Sequence, residues 1–244
     1  MPQDSALLLL PGLLCDARLW RDQVEALRGQ VECQVADLTQ DDSIAAMAAR
    51  ALAAAPARFA LCGLSMGGYV AFEILRQAPE RVTRLALLDT SARPDTPEQA
   101  RRRRGLMALT RSGRFRGVTP RLLPQLVHPA HLDGPVAAEV MAMAERVGKD
   151  AFLRQQAAIL GRPDSRPLLS GIRIPSLVAV GEADVLTPPE LAEEIATGIP
   201  DARLVRLPGC GHLPPLEDPA ATTALLRDWL AALPAAALNG TPEA

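Results

Sequence analysis

The chain has 244 residues, of which 48% are hydrophobic, and its formal net charge is −2. This length suits one large domain, or one domain with an insertion, with a substantial core. The slightly acidic balance argues against a nucleic-acid or membrane-surface partner. The four cysteines have no CxxC or metal-ligand spacing, and the first apolar run is too short to span a membrane. We therefore expect a cytoplasmic protein with free thiols and no signal peptide.

Short apolar runs alternate with helical patterns along most of the chain. Such runs are typical of buried parallel strands, and the alternation predicts an α/β fold with a doubly wound, mostly parallel sheet of about six strands. The predicted strands are 6–10, 31–38, 59–62, 82–89, 174–180 and 202–207. The predicted helices are a segment after Asp16 that includes 19–27, then 43–55, a segment after Ser65 that includes 69–75, then 188–198 and 218–233.

The pattern changes between about residues 92 and 170. Strand patterns stop there, and helical patterns rich in Arg, Leu, Ala and Met are interrupted by prolines. Because this block leaves and re-enters the sheet at the same edge, we interpret it as a lid over that edge. The predicted organisation is a core of residues 1–91 and 171–234, a helical lid of residues 92–170 and a frayed tail of residues 235–244.

The sequence Gly63-Leu-Ser-Met-Gly67 stands between a predicted strand and a predicted helix. A sharp turn there places Ser65 in a strained backbone conformation with its hydroxyl clear of the sheet. Gly63 and Gly67 lie where side chains would collide as strand and helix approach. The first helical N–H groups, that of Met66 foremost, would face one spot that can hold an oxyanion. The pattern G-x-S-x-G is typical of a nucleophile elbow, although a tight turn with an incidental serine would match it too.

A serine nucleophile needs a base and an acid within reach, and two other strand ends supply candidates. His212 follows the last predicted strand in a Gly-rich turn, and Asp184 follows the strand before it. Asp89, also at a strand end, is the alternative acid. His128 and His131 lie in the lid without enough further ligands for a metal site. We therefore expect no metal.

Three other acidic residues near these segments are interpreted as structural. Asp201 reads as a turn residue. Glu217 and Asp218 read as first-turn acids of the last helix, where the helix dipole favours negative charge.

Three motifs carry a family resemblance: GLSMGG around Ser65, GEAD ending at Asp184, and GCGHLPPLEDP around His212. With them the chain resembles small esterase-like members of the α/β-hydrolase superfamily, from residue 6 to about residue 233. The resemblance implies Ser65 as nucleophile, Asp184 as acid and His212 as base. It also implies an oxyanion hole made by the backbone N–H groups of Leu13 and Met66, and no cofactor. Pro11-Gly12 stands where many members have His-Gly.

The expected activity is hydrolysis of a carboxylic ester or thioester of a small acyl group through an acyl-enzyme. Similar hydrolases include methyl esterases acting on carrier-bound acyl groups and enol-lactonases, so the substrate is a free or carrier-bound small molecule. Carbon–carbon bond hydrolysis and cofactor-free perhydrolysis would use the same residues. A non-catalytic ligand receptor on the same fold is the alternative of another class.

Specificity is expected to lie in the lid. Its apolar residues are interpreted mainly as packing rather than pocket wall. The scarcity of aromatic residues favours an aliphatic acyl group. The run Arg101–Arg104 reads as a solvated helix face, or alternatively as a docking patch for an acidic carrier such as coenzyme A or acyl carrier protein. The apolar lid residues are Leu106, Met107, Leu122, Leu123, Leu126, Val140, Met141, Met143 and Phe152.

Overall fold

A computed structural model describes residues 6–113 and 115–232, so the predicted frayed tail lies outside the described residues. Its centre is one sheet of six strands, all parallel, in the order β2-β1-β3-β4-β5-β6. The predicted fold class is therefore confirmed. The strands are β1 Ala6–Leu10, β2 Glu32–Val35, β3 Phe59–Leu64, β4 Val82–Leu88, β5 Ser176–Gly181 and β6 Arg203–Leu207.

Helices connect the strands and fill the segment between β4 and β5. The long helix α5 changes direction at Gly148, where φ is 78°. No helix of the described ranges is long and apolar enough to cross a membrane. The α-helices are α1 Arg21–Ala26, α2 Ile44–Ala54, α3 Met66–Gln77, α4 Pro97–Ser112, α5 Pro135–Leu160, α6 Arg166–Leu169, α7 Pro189–Gly198, α8 Pro214–Glu217 and α9 Pro219–Ala231, with 3₁₀ turns at Ala17–Trp20, Pro79–Arg81, Leu123–Gln125 and Pro129–His131.

Polar side chains fix where several of these helices begin. Ser43 Oγ accepts a hydrogen bond from the Ala46 N–H and so caps α2. Thr96 and Gln99 form a reciprocal capping box at the start of α4. Asp218 caps α9 by accepting from the Ala221 N–H. The interpretation of Asp218 as a helix-start acid agrees with this contact.

The strands are apolar on both sides because helices cover both faces of the sheet. On β1, Leu8 and Leu10 pack into one core cluster and Leu7 and Leu9 into the other, and all four are fully buried. Helices α2, α3 and α7 contribute to the first cluster, and α1 and α9 border the second. This two-sided burial is why the strands read as continuous apolar runs.

Two strands differ from their predicted lengths by two residues or more. The strand predicted at 31–38 is only Glu32–Val35, because β2 lies at the sheet edge and pairs with β1 alone, which ends at Leu10. The strand predicted at 59–62 continues to Leu64, since Gly63 and Leu64 pair with β4. The elbow serine therefore follows the strand without an intervening residue.

We predict that Gly67→Ala destabilises the fold. A Cβ at Gly67 would collide with the Leu10 carbonyl group, whose carbon would lie 2.7 Å away. Such overpacking lowers the free energy of unfolding by about 1–3 kcal/mol, measured by urea denaturation.

Gly105→Ala is the matched control. Gly105 lies inside α4, and a Cβ there would meet no atom within 4 Å. This change should raise the free energy of unfolding by about 0.5–1 kcal/mol. Equal effects of the two substitutions would contradict the close approach at Gly67.

Candidate active site

Ser65 joins β3 to α3 in the backbone conformation that the turn demands. Its φ is 55° and its ψ is −115°, a region that residues other than glycine rarely occupy. The Ser65 N–H donates to the Leu88 carbonyl at 3.0 Å, which ties the turn to β4. A Cβ at Gly63 would collide with the backbone of Gly67. The absence of a side chain at Gly63 therefore lets the end of β3 lie against the first turn of α3.

Thr90 supports this turn and was not anticipated. Its hydroxyl donates to the Ser65 carbonyl at 2.7 Å, and the Gly68 N–H donates to the same oxygen at 2.9 Å. A Cβ at Gly68 would collide with the Thr90 side chain. The sequence feature that could have indicated this close contact is the second glycine of Gly67-Gly68.

The structure brings Ser65, His212 and Asp184 into one hydrogen-bonded chain. His212 Nε2 lies 2.8 Å from Ser65 Oγ, and His212 Nδ1 lies 2.8 Å from Asp184 Oδ2. Because an ionised carboxylate only accepts, Nδ1 carries the proton and Nε2 presents its lone pair to the serine hydroxyl. The arrangement can take a proton from Ser65 as that oxygen attacks an electrophile.

Asp184 is fixed by the residues that follow it. Its Oδ1 accepts from the backbone N–H groups of Leu186 and Thr187, and its Oδ2 accepts from the Thr187 hydroxyl at 2.7 Å. Burial alone would raise the pKa of this carboxyl. The His212 charge and the hydrogen bonds from His212 and Thr187 outweigh burial and lower the pKa below its ordinary value. Asp184 thus remains an acceptor for His212.

Glu217 holds the His212 loop, which corrects its interpretation as a first-turn acid of the last helix. It ends the separate short helix α8 and is buried. Its carboxylate accepts from three backbone N–H groups: Gly211 at 2.9 Å, Leu213 at 2.9 Å and His128 at 2.6 Å. Both neighbours of His212 are therefore anchored. No local sequence pattern indicated this role, because the lid partner is 89 positions away.

The loop after β1 carries the other predicted oxyanion donor. Leu14 has φ 60°, and its N–H donates to Gln155 Oε1 at 3.1 Å. Gln155 is fully buried in α5 and donates in turn to the Leu38 carbonyl at 3.1 Å. Within the described residues, the N–H groups of Leu13 and Met66 have no acceptor. Both donors are therefore available to a ligand, as their prediction requires.

Asp89, the alternative acid, does not contact the histidine. Its Oδ1 accepts from the Gly181 N–H at 2.8 Å, and its Oδ2 is buried without a hydrogen-bond partner in the described structure. Burial first, and next the charge of Asp184, raise the pKa of Asp89 well above its ordinary value, against the opposing bond from Gly181. Asp184 takes the position beside His212, and the raised pKa of Asp89 behind it favours the protonated form of that carboxyl.

Asp89, Asp184 and His212 also form the one cluster of potential metal ligands found among the described residues, with ligand atoms within 4.8 Å of one another. His212 Nδ1 and Asp184 Oδ2 are already bonded to each other, so a cation would have to break that bond. The geometry suits proton transfer better. His128 and His131 do not belong to this cluster; the His128 N–H bonds to Glu217 and its Nδ1 accepts from the Ala130 N–H.

A cavity of about 900 Å³ opens above Ser65 and His212. This volume fits a small organic ligand. Most of the apolar residues at 92–170 that were interpreted as packing line it, which corrects that interpretation. Those that line the cavity are Leu106, Leu122, Leu126, Val140, Met143 and Phe152.

The four arginines at 101–104 differ in their exposure to solvent. Arg101 and Arg104 are exposed as predicted, and Arg101 pairs with Glu98. Arg103 instead turns inward and binds Asp95, so it is not part of a solvated face. The pattern of four consecutive arginines gave no sign of this difference.

Comparisons with known proteins show that the sequence and the fold are similar to those of hydrolases. The family model described as alpha/beta hydrolase fold matches residues 32–219. A pimeloyl-[acyl-carrier protein] methyl ester esterase of Aromatoleum aromaticum is 32% identical over 189 residues, covering 69% of this chain and 72% of the relative. A malate-bound thermophilic esterase of Thermogutta terrifontis superposes with a TM-score of 0.83 at 32% identity, covering 92% and 89% of the two chains. An enol-lactonase of Burkholderia xenovorans LB400 superposes with a TM-score of 0.77 at 26% identity, covering 94% of this chain and 92% of the other.

We predict that Asp89→Asn stabilises the protein at neutral pH. The raised pKa means that folded Asp89 keeps its proton where the unfolded chain, with a pKa of about 3.9, has lost it. Wild-type stability therefore falls as pH rises from about 4 toward the folded pKa. An asparagine side chain does not titrate, so this loss of stability with pH disappears, and its amide oxygen can still accept the Gly181 N–H.

Urea denaturation between pH 4 and pH 7 measures the effect. The stabilisation of Asp89→Asn over wild type should grow with pH, whereas exposed Asp133→Asn should show no such trend. A pH-independent difference for Asp89→Asn would contradict a neutral carboxyl.

Proposed function

The chain belongs to the alpha/beta hydrolase fold family, and we propose that it is a serine hydrolase that cleaves a carboxylic ester of a small aliphatic acyl group. The observation that carries this proposal is the hydrogen-bonded chain from Ser65 through His212 to Asp184. Ser65 and His212 of this hydrogen-bonded series line a ligand-sized cavity. The esterases among the relatives support the same reaction class.

In the proposed reaction Ser65 Oγ attacks the ester carbonyl while His212 Nε2 takes its proton. His212 then gives this proton to the leaving alkoxide, and an acyl-enzyme remains. Water, deprotonated by His212, attacks the acyl-enzyme and releases the acid and the free serine. Asp184 fixes the imidazole tautomer and stabilises the imidazolium formed in each half. Thr187 and Glu217 are positioning residues that hold Asp184 and the His212 loop.

The negative charge that develops on the carbonyl oxygen is held by the N–H groups of Leu13 and Met66. Both groups lack a protein acceptor in the described residues, and Leu13 lines the cavity with Ser65. The Leu14–Gln155 hydrogen bond fixes the Leu13 loop from behind. A preorganised donor of this kind contributes about 10²–10³ in turnover.

Residues 92–170 act as a lid on the core formed by residues 1–91 and 171–234. Helices α4 and α5 supply many of the cavity residues. Five large apolar side chains that are exposed also line the cavity: Leu106, Leu109, Leu122, Val185 and Leu186. Apolar surface left at a cavity mouth is typical of a site that receives an apolar chain.

The substrate can reach this mouth free or attached to a carrier. The carrier-linked ester named for the relatives favours an acidic carrier protein outside the lid. Arg101 and Arg104 are exposed on α4, and Arg102 lines the cavity mouth. Positive charge there would attract an acidic partner by long-range electrostatics.

We predict that Ser65→Ala lowers turnover of p-nitrophenyl esters by at least about 10⁴-fold, because the nucleophile is lost. Acetyl to octanoyl esters would be tested, and the optimum length measures the acyl part of the cavity. Wild type should also gain the mass of a fluorophosphonate label at Ser65.

Ser112→Ala, at the exposed end of α4, is the control and should keep full activity. An active, unlabelled Ser65→Ala protein would refute the serine mechanism. If wild type binds esters without turning them over, the protein is a receptor. If it cleaves only thioesters or only carbon–carbon bonds, the substrate class is that bond and not an ester.

We predict that kcat/KM for an acyl-carrier-protein ester falls by about tenfold or more between 0.05 M and 0.5 M NaCl, since salt screens exposed charges. The free methyl ester should change little. Replacing Arg101 and Arg104 by Glu should reproduce the loss at low salt, and replacing remote Arg28 and Arg58 by Glu should not. Turnover of the carrier substrate that ignores salt would refute docking at α4.

A further inference from the structure

The cavity above Ser65 is lined by more basic than acidic residues in a protein whose net charge is −2, and one of the basic residues, Arg93, is paired with Glu194 outside the lining. Among the described residues that line it, five are arginines and one is an aspartate, Asp95. A pocket with this excess of one sign attracts ligands of the opposite sign. The arginines are Arg93, Arg102, Arg103, Arg116 and Arg162.

Part of this charge is buried. Asp95 binds Arg103 at 2.9 Å and Arg162 at 2.7 Å, and the Asp95 side chain is only 4% exposed. Arg103 also donates to Gln156 Oε1 at 2.5 Å. Two guanidinium groups share one carboxylate, so the cluster keeps one unbalanced positive charge away from bulk water.

Arg162 is the member of the cluster with a free donor. Its side chain is 6% exposed. Its Nε donates to the Arg93 carbonyl, and its Nη1 donates to Asp95 and to the Ile159 carbonyl. Its Nη2 has no acceptor among the described residues. Arg162 lines the cavity, and Nη2 is not among the fully buried unpaired atoms, so this donor is open to a ligand there.

The free donor and the proposed nucleophile belong to residues that line the same cavity. The Arg162 guanidinium stacks on the Tyr69 ring, 4.4 Å from its centre. Tyr69 follows Ser65 by one turn of α3, a rise of about 6 Å, and both residues line the cavity. Burial raises the pKa of Tyr69, so its hydroxyl stays a neutral donor beside the arginine.

Anchoring α4 by an ion pair does not require that both Arg103 and Arg162 bind Asp95. Arg103 alone makes a two-pronged contact with Asp95, through Nε and Nη2. A second buried guanidinium adds a desolvation penalty that the single carboxylate does not offset. A bound anion would offset it, because a guanidinium and a carboxylate have matching planar shapes.

We infer that Arg162, held by Asp95 and Tyr69, binds a carboxylate carried by the substrate. This inference rests on the proposed esterase function and narrows its substrate to an ester or lactone with a free carboxylate a few bonds from the scissile group. It concerns the part of the substrate inside the cavity, whether or not a carrier lies outside.

The test compares monomethyl esters of succinate, glutarate, adipate and pimelate with neutral methyl esters of equal length. Wild type should prefer the acidic member of the best pair by about tenfold or more in kcat/KM. Arg162→Gln should remove most of this preference, and Arg162→Lys should restore part of it. Arg166→Gln, an exposed arginine paired with Asp164, makes the same charge change and should keep the preference.

Three outcomes would overturn the inference while leaving the esterase function intact. The first is a wild type that cleaves neutral esters as well as acidic ones. The second is an Arg162→Gln protein that loses both activities equally, which would indicate a structural role. The third is a preference for a phosphorylated ester over the carboxylate-bearing ester.

A binding measurement keeps the inference testable if no ester is cleaved, which would refute the proposed function separately. Isothermal titration calorimetry over the same series of unesterified dicarboxylates should then detect binding to wild type. The affinity for the tightest-binding length should fall about tenfold or more in Arg162→Gln. If Arg162→Gln does not fold, Arg162→Lys replaces it. Equal affinity of wild type for the dicarboxylate and for a neutral diol of that length would count against the site.

Discussion

The close approach of α3 to the sheet is the constraint on which the site depends. Gly63, Gly67 and Gly68 each lie where a Cβ would collide with backbone or with Thr90. With no side chains in between, the first turn of α3 sits directly on the ends of the strands. Ser65 is then forced to positive φ, and its hydroxyl points to the sheet edge where the later strands end. A bulkier elbow would move the serine away from His212.

Buried carboxylates hold the rest of this edge in place. Asp184 and Glu217 each accept backbone N–H groups from the loops that carry the functional side chains, so their charge is satisfied without solvent. Asp89 lies beside Asp184, and burial first and the charge of Asp184 next raise its pKa against the single opposing bond from the Gly181 N–H. Two neighbouring carboxyls with unequal hydrogen bonding thus have pKa values shifted in opposite directions, which favours the charged form of Asp184 and the protonated form of Asp89. The charged one is in contact with His212.

The sequence predicted the parts of the structure that depend on local pattern and strand order. The sheet could be predicted because its strands are buried on both faces, and the meeting of Ser65, Asp184 and His212 because parallel strands end at one edge. Contacts such as Leu14–Gln155 span 141 positions, and no local signal marks them. The inward turn of Arg103 depends on where Asp95 lies, which a run of identical residues cannot reveal.

The cluster around Asp95 links the position of α4 to the charge of the cavity. Helix α4 buries only Met107 and Thr110, so apolar packing holds it weakly in comparison with α3, most of whose residues are buried. The Arg103–Asp95 pair therefore supplies much of its attachment. Since Asp95 also binds Arg162 on the cavity side, the charge that faces a ligand and the contact that seats the helix share one carboxylate. An anion at Arg162 would share that guanidinium with Asp95, to which Arg103 also binds through two donors.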